Sequence, residues 1–95
     1  MDNTASLYRR AMALWGKENQ EKVLVEECAE LIVAINHRRR DKCDDQAVIG
    51  ELLDVQIMVE QMLQQFAKNN GDYIKRRRSD KLHYLEGLLN KAEQH

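Results

Sequence analysis

Between Val48 and Phe66 apolar residues recur at alternating steps of four and three: Val48, Leu52, Val55, Val59, Met62 and Phe66. That rhythm is one face of a helix, and its persistence predicts a helix from Asp44 or Asp45 to about Lys68. Ile49, Leu53 and Ile57 form a second apolar line, about a hundred degrees around the same helix. A helix lying on a protein surface needs one apolar stripe; two stripes call for cover on two sides. The chain has no proline and only four glycines, and Leu, Ala, Glu, Gln, Lys and Arg dominate it. Nothing in that composition breaks a helix or favours a strand, so the expected class is all-α.

The other elements follow from punctuation. A first helix is predicted over Thr4–Trp15, with Asn3 or Thr4 as N-cap and Gly16 just past its end. A second runs from Glu18 to about Arg39, with Leu24, Cys28, Leu31 and Ile35 on one line and Val25 and Ile32 widening it. Asn69-Asn70-Gly71-Asp72 reads as a turn, and Asp72 to Lys91 as a fourth helix bearing Ile74, Leu82, Leu85, Leu88 and Leu89. Helices two and three, joined by a short connector, should form an antiparallel hairpin roughly 30 Å long. The expectation is a single domain over residues 1–95: a four-helix bundle on that hairpin, completed as a homodimer or dimer of dimers. A monomeric bundle closed by helices one and four is the alternative.

Fifteen basic against sixteen acidic residues leave a net charge of −1, so no global field draws the chain to nucleic acid or an anionic membrane. No apolar run is long enough to span a bilayer. Cys28 and Cys43 lack zinc-ligand spacing. Without a signal peptide they read as free thiols in a reducing cytoplasm.

The carboxylates carry the chemistry. Glu27 and Glu30 are three residues apart on the second helix, as are Glu51 and Asp54 on the third. Each pair shares a helical face, and an antiparallel hairpin lets the two pairs meet. Roughly two or three such acid pairs arise by chance in a chain this acidic, and Glu18/Glu21 and Asp41/Asp44 read as solvated surface. Glu27, Glu30, Glu51 and Asp54 instead border the most apolar lines of the sequence, where acids are costly unless paired or metal-bound. Mg²⁺ suits such an oxygen-only set, and a Mg²⁺ cluster suggests phosphoryl chemistry.

Glu-x-x-Glu followed after twenty residues by Glu-x-x-Asp resembles the signature of the MazG-type all-α nucleoside triphosphate pyrophosphohydrolases. The similarity includes Trp15-Gly16, Gln20, Glu26-Glu27-Cys28-Ala29-Glu30-Leu31 and Ile49-Gly50-Glu51-Leu52-Leu53-Asp54-Val55. It covers residues 12 to 66 well and the remainder loosely, through Asp80-Lys81-Leu82. The resemblance implies a dimerising four-helix bundle with Mg²⁺, or Mn²⁺ in its place, on Glu27, Glu30, Glu51 and Asp54. It implies hydrolysis of an NTP or dNTP to the monophosphate and pyrophosphate, in housecleaning or nucleotide-pool control. Two positions depart from the pattern: Lys22 matches a common lysine only approximately, and Tyr84 stands where an arginine is common.

Four residues are candidates for substrate contact. Trp15 could stack on a nucleobase or equally anchor a core or interface. Gln20 could contact the nucleotide or be simply solvated. Arg78 and Lys81 share a face of the fourth helix and could reach a triphosphate together. Glu26 points away from Glu27 and reads as a surface acid. Arg38-Arg39-Arg40 complete the end of helix two, and His37 and His83 are ordinary polar positions. The competing function is a non-enzymatic oligomeric helical protein that binds nucleic acid through its arginine runs; near-neutral charge and the lack of a helix-turn-helix argue against it.

Overall fold

The computed structural model describes residues 3–94, and these contain helices and no strand. Helix α1 spans Thr4–Trp15, α2 Lys17–Arg39 and α3 Asp45–Glu93. The chain divides into two compact units, residues 1–65 and 66–95.

In the first unit, helix ends are set by local chemistry. Gly16 closes α1 with φ +86, and its N–H donates to the Met12 carbonyl; the left-handed region is open to glycine at little steric cost. At the end of α2 the Asp41 N–H donates to Arg38 O at 2.9 Å and the Lys42 N–H to His37 O at 2.8 Å. This is the Schellman pattern, and Asp41, with φ 57, occupies its left-handed position. Asp44 then caps α3, its Oδ1 accepting from the Ala47 N–H at 3.1 Å. The Cys43 thiol reaches back to Ala34 O at 3.5 Å.

α2 and the start of α3 are antiparallel. Contacts that move down α2 move up α3: Glu27 meets Glu51 and Asp54, and Gln20 meets Gln61. α1 lies against both. It touches α3 through Tyr8, whose hydroxyl donates to Glu60 Oε2 at 2.7 Å, and through the Gln64 amide, which donates to Ala5 O at 2.8 Å.

The faces turned inward differ from those the apolar periodicity predicts. On α3 up to residue 66 the covered positions are Val48, Glu51, Val55, Met58, Gln61, Met62, Gln64 and Gln65, whereas Leu52, Val59 and Phe66 remain exposed. On α2 they are Gln20, Val23, Leu24, Glu27, Leu31 and Ala34, while Cys28 and Ile35 are exposed. Each helix keeps half of its expected seam and is rotated by about half a residue step. The rotation brings Glu27 and Glu51 inward and leaves apolar lines outside. A seam two residues wide fixes helical phase only to within tens of degrees, and the partner decides the remainder.

The turn expected at residues 69–72 is a one-residue kink: the backbone leaves helical geometry at Asn70 (φ −133, ψ 24), and two helices meet there within α3. The Asn70 side-chain amide donates to Phe66 O at 3.1 Å. Asn and Gly lower helix propensity by up to about 1 kcal/mol each, so the break falls at the weakest helix-forming point of α3. The fourth helix is therefore the second part of α3. Within the second unit no described side chain is buried, and Leu82, Leu85, Leu88 and Leu89 are about half exposed.

Candidate metal centre and adjoining cleft

Seven residues, two helical turns, separate Gln20 from Glu27 on α2 and Asp54 from Gln61 on α3. Antiparallel packing therefore produces two stacked polar levels on one face: acids towards the connector, amides towards α1.

At the acid level, oxygens of Glu27, Glu51 and Asp54 lie within 4.8 Å of one another. Oxygens on opposite sides of an octahedral Mg²⁺ are about 4.2 Å apart, so the span is close to that of one cation's ligand shell. Glu27 and Glu51 are half-buried and Asp54 is exposed. Oε2 of Glu27 and Oε2 of Glu51 are sealed from solvent, with no hydrogen-bond partner. Burial, followed by the charges of Glu30, Asp54 and Glu51, pushes the Glu27 carboxyl above its ordinary range. Burial, followed by Glu30 and Asp54, does the same to Glu51. Glu30 is exposed; it raises both acids through its charge and, more weakly, through a side-chain hydrogen bond, but supplies no oxygen to the close group of three.

Clusters of exposed acids are common on protein surfaces, where water solvates them. Two sealed, unpartnered carboxylate oxygens converging from different helices are unusual, because such an oxygen forfeits hydration with nothing in exchange. A cation bridging them would restore both losses, and the all-oxygen donor set matches a hard divalent ion such as Mg²⁺.

At the amide level, Gln20 and Gln61 are 5% and 4% exposed, and Gln61 Nε2 donates to Gln20 Oε1 at 2.6 Å. Gln20 is therefore buried, not solvated. Both amides line an open cleft of about 700 Å³ that is shared with Trp15, Lys22 and Glu26. A second cleft, against α1, shares Trp15, Ile57 and Gln61 with it. Trp15 is 56% exposed and belongs to the rim, not the core.

Arg78 and Lys81 belong to the second unit. Lys81 lines a small cleft with Arg77, Asp80 and Tyr84, and Arg77 is paired with Asp80 at 3.6 Å. Arg78 is not among these lining residues. Arg38 pairs with Asp45 at 3.4 Å across the connector, and His83 lies 3.8 Å from Glu86. Both are exposed contacts of small energetic weight.

Sequence reasoning did not single out Gln61, Tyr8 or Glu60. For Gln61 a signal existed: it stands two turns from Asp54 on the acid's own face, next to Met62 and among apolar neighbours. No protein-family model, curated protein or solved structure matches this chain. No helix among the described residues is long and apolar enough to cross a membrane.

Proposed function

We propose that this chain is a Mg²⁺-dependent nucleoside triphosphate pyrophosphohydrolase of MazG type. The observation that carries the reading is the pair of sealed, unpartnered oxygens of Glu27 and Glu51 within one three-acid group. Glu27, Glu51 and Asp54 would hold the metal directly, with Glu30 beside them to complete the set. Bound Mg²⁺ would neutralise phosphate oxygens and lower the pKa of water. The chain's own residues do the remaining work. With a metal held there, the acids would set the α-phosphate end of the nucleotide at one level of the hairpin, and the Trp15 cleft takes the base two turns away. Water oxygen bonds to the α-phosphorus, the α–β bridging P–O bond breaks, and nucleoside monophosphate and pyrophosphate leave with release of a proton.

The active form in this reading is a homo-oligomer. Val25 and Ile32 on α2 are 68% and 60% exposed, and Ile49, Leu53 and Ile57 on α3 are about half exposed. A second copy covering those lines would supply the bundle that one chain leaves incomplete.

The test is a screen of the common ribo- and deoxyribonucleoside triphosphates for pyrophosphate release with Mg²⁺, using the wild type and Glu51→Gln. Glu51→Gln keeps the shape and removes one ligand charge, and a loss of at least about a hundredfold in kcat/KM is expected. Activity with no nucleotide, or full activity in Glu51→Gln, would refute the proposal.

A further inference from the structure

The buried amide pair beside the acids is unused by the phosphate chemistry. The Gln61-to-Gln20 hydrogen bond occupies Gln61 Nε2 as donor and Gln20 Oε1 as acceptor. A glutamine amide carries both a donor and an acceptor group, so the pair still offers Gln20 Nε2 and Gln61 Oε1. Both residues line the cleft whose rim is Trp15, the chain's only tryptophan. The amides lie about 10 Å along both helices from the acids, a separation of nucleotide size.

We infer that this pair reads the hydrogen-bonding edge of a nucleobase held against the Trp15 indole, and that Gln61 is a specificity-determining residue of the cleft. The inference rests on the nucleotide reading given above. Its content is base tolerance. Adenine and cytosine present an exocyclic donor beside a ring acceptor; uracil, thymine and guanine present an exocyclic acceptor beside a ring donor. Half-turn rotation of both amides reverses the bond between them, so that Gln20 donates to Gln61. The same rotation exchanges the donor and acceptor offered to the ligand. The pair can therefore complement either kind of base without moving the backbone, and the chain accepts nucleotides of both.

Freezing the pair should create selectivity. Gln20→Glu keeps the observed bond, because a carboxylate still accepts from Gln61 Nε2, but leaves two acceptors facing the cleft. Adenine, cytosine and uracil then each keep one bond and set an acceptor against an acceptor, whereas guanine can present two adjacent donors, N1–H and its 2-amino group, and keep both.

The experiment is titration of Trp15 fluorescence with AMP, CMP, UMP and GMP in EDTA. It compares the wild type, Gln20→Glu and Gln61→Met, each checked for helicity by circular dichroism. The wild type should bind all four within a few-fold. In Gln20→Glu the preference for GMP over AMP, CMP and UMP should rise about tenfold. Gln61→Met, similar in size but unable to pair, should weaken all four alike, which keeps the test decisive if the buried charge of Gln20→Glu prevents folding. No quenching in the wild type, an unchanged base preference in folded Gln20→Glu, or undiminished binding by folded Gln61→Met would overturn the inference. Monophosphates without metal are not substrates, so the two readings fail separately. Quenching without hydrolysis of any triphosphate removes the pyrophosphohydrolase and leaves the base reader; hydrolysis without quenching does the reverse.

Discussion

Glu27 and Glu51 carry the proposed chemistry at the scale of single residues, because folding places their charge where it is least welcome. Both carboxyls are raised above about 4.5 by burial and by the acids around them. The folded chain then holds more protons than the unfolded chain as pH rises above that value. The dependence of unfolding free energy on pH follows the excess of protons bound by the unfolded state, which is negative here. The favourable contribution of these acids is thus complete below about pH 4.5 and is lost as pH climbs through their raised folded values. On the proposed reading Mg²⁺ would remove the repulsion, so it should stabilise the protein more at pH 7 than near pH 4.5, where protons compete for the same oxygens. Thermal melts with EDTA or Mg²⁺ at both pH values measure this. An equal Mg²⁺ shift at the two, or a shift retained in Glu51→Gln, would be incompatible with the assignment. The acids themselves could be found by reading the sequence, since three-residue spacing on two predicted helices placed each pair on one face. The inward turn of Glu27 and Glu51, with Glu30 left exposed, could not be found that way, because it depends on helical phase.

The helices illustrate how local signals compete with continuity. The ends of α1 and α2 were legible because Gly16 and the Asp41 connector are places where the backbone must leave helical geometry. Asp41 does so with φ 57, a conformation that strains a residue with a Cβ and suits glycine. Asp41→Gly is therefore expected to stabilise the chain by about 0.5–1 kcal/mol, a rise in Tm of several degrees. Denaturant titration and thermal melting check it; a decrease would show that the Asp41 side chain contributes more than its backbone strain costs. Asn69-Asn70-Gly71 carries the same kind of breaker, and α3 kinks there, with Asn70 off helical geometry between two helices. The Asn70 amide satisfies the Phe66 carbonyl at the kink, and the strong helix formers beyond it start the second helix at once.

The whole molecule leaves unusually little covered. Its buried apolar residues are Tyr8, Ala34, Met58 and Met62, and no described side chain is completely enclosed. Apolar lines on α2, on α3 and over Leu82–Leu89 remain in solvent. Each large aliphatic side chain gains about 1.5–3 kcal/mol on full burial, so association is the expected outcome. Light scattering at micromolar concentration should give a multiple of the 11.2 kDa chain mass, and Tm should rise with protein concentration. A monomer mass with concentration-independent melting would contradict this. Read alone, the sequence determined the helical class, the hairpin, its caps and the pairing of acids. Those follow from propensity and from periodicities of three and four residues, which are properties of neighbours in the chain. Only the tertiary structure decided which half-turn of each helix faces inward. That choice sealed two carboxylate oxygens and paired Gln20 with Gln61, because burial and hydrogen-bond partnership depend on what packs against a helix and not on the helix itself.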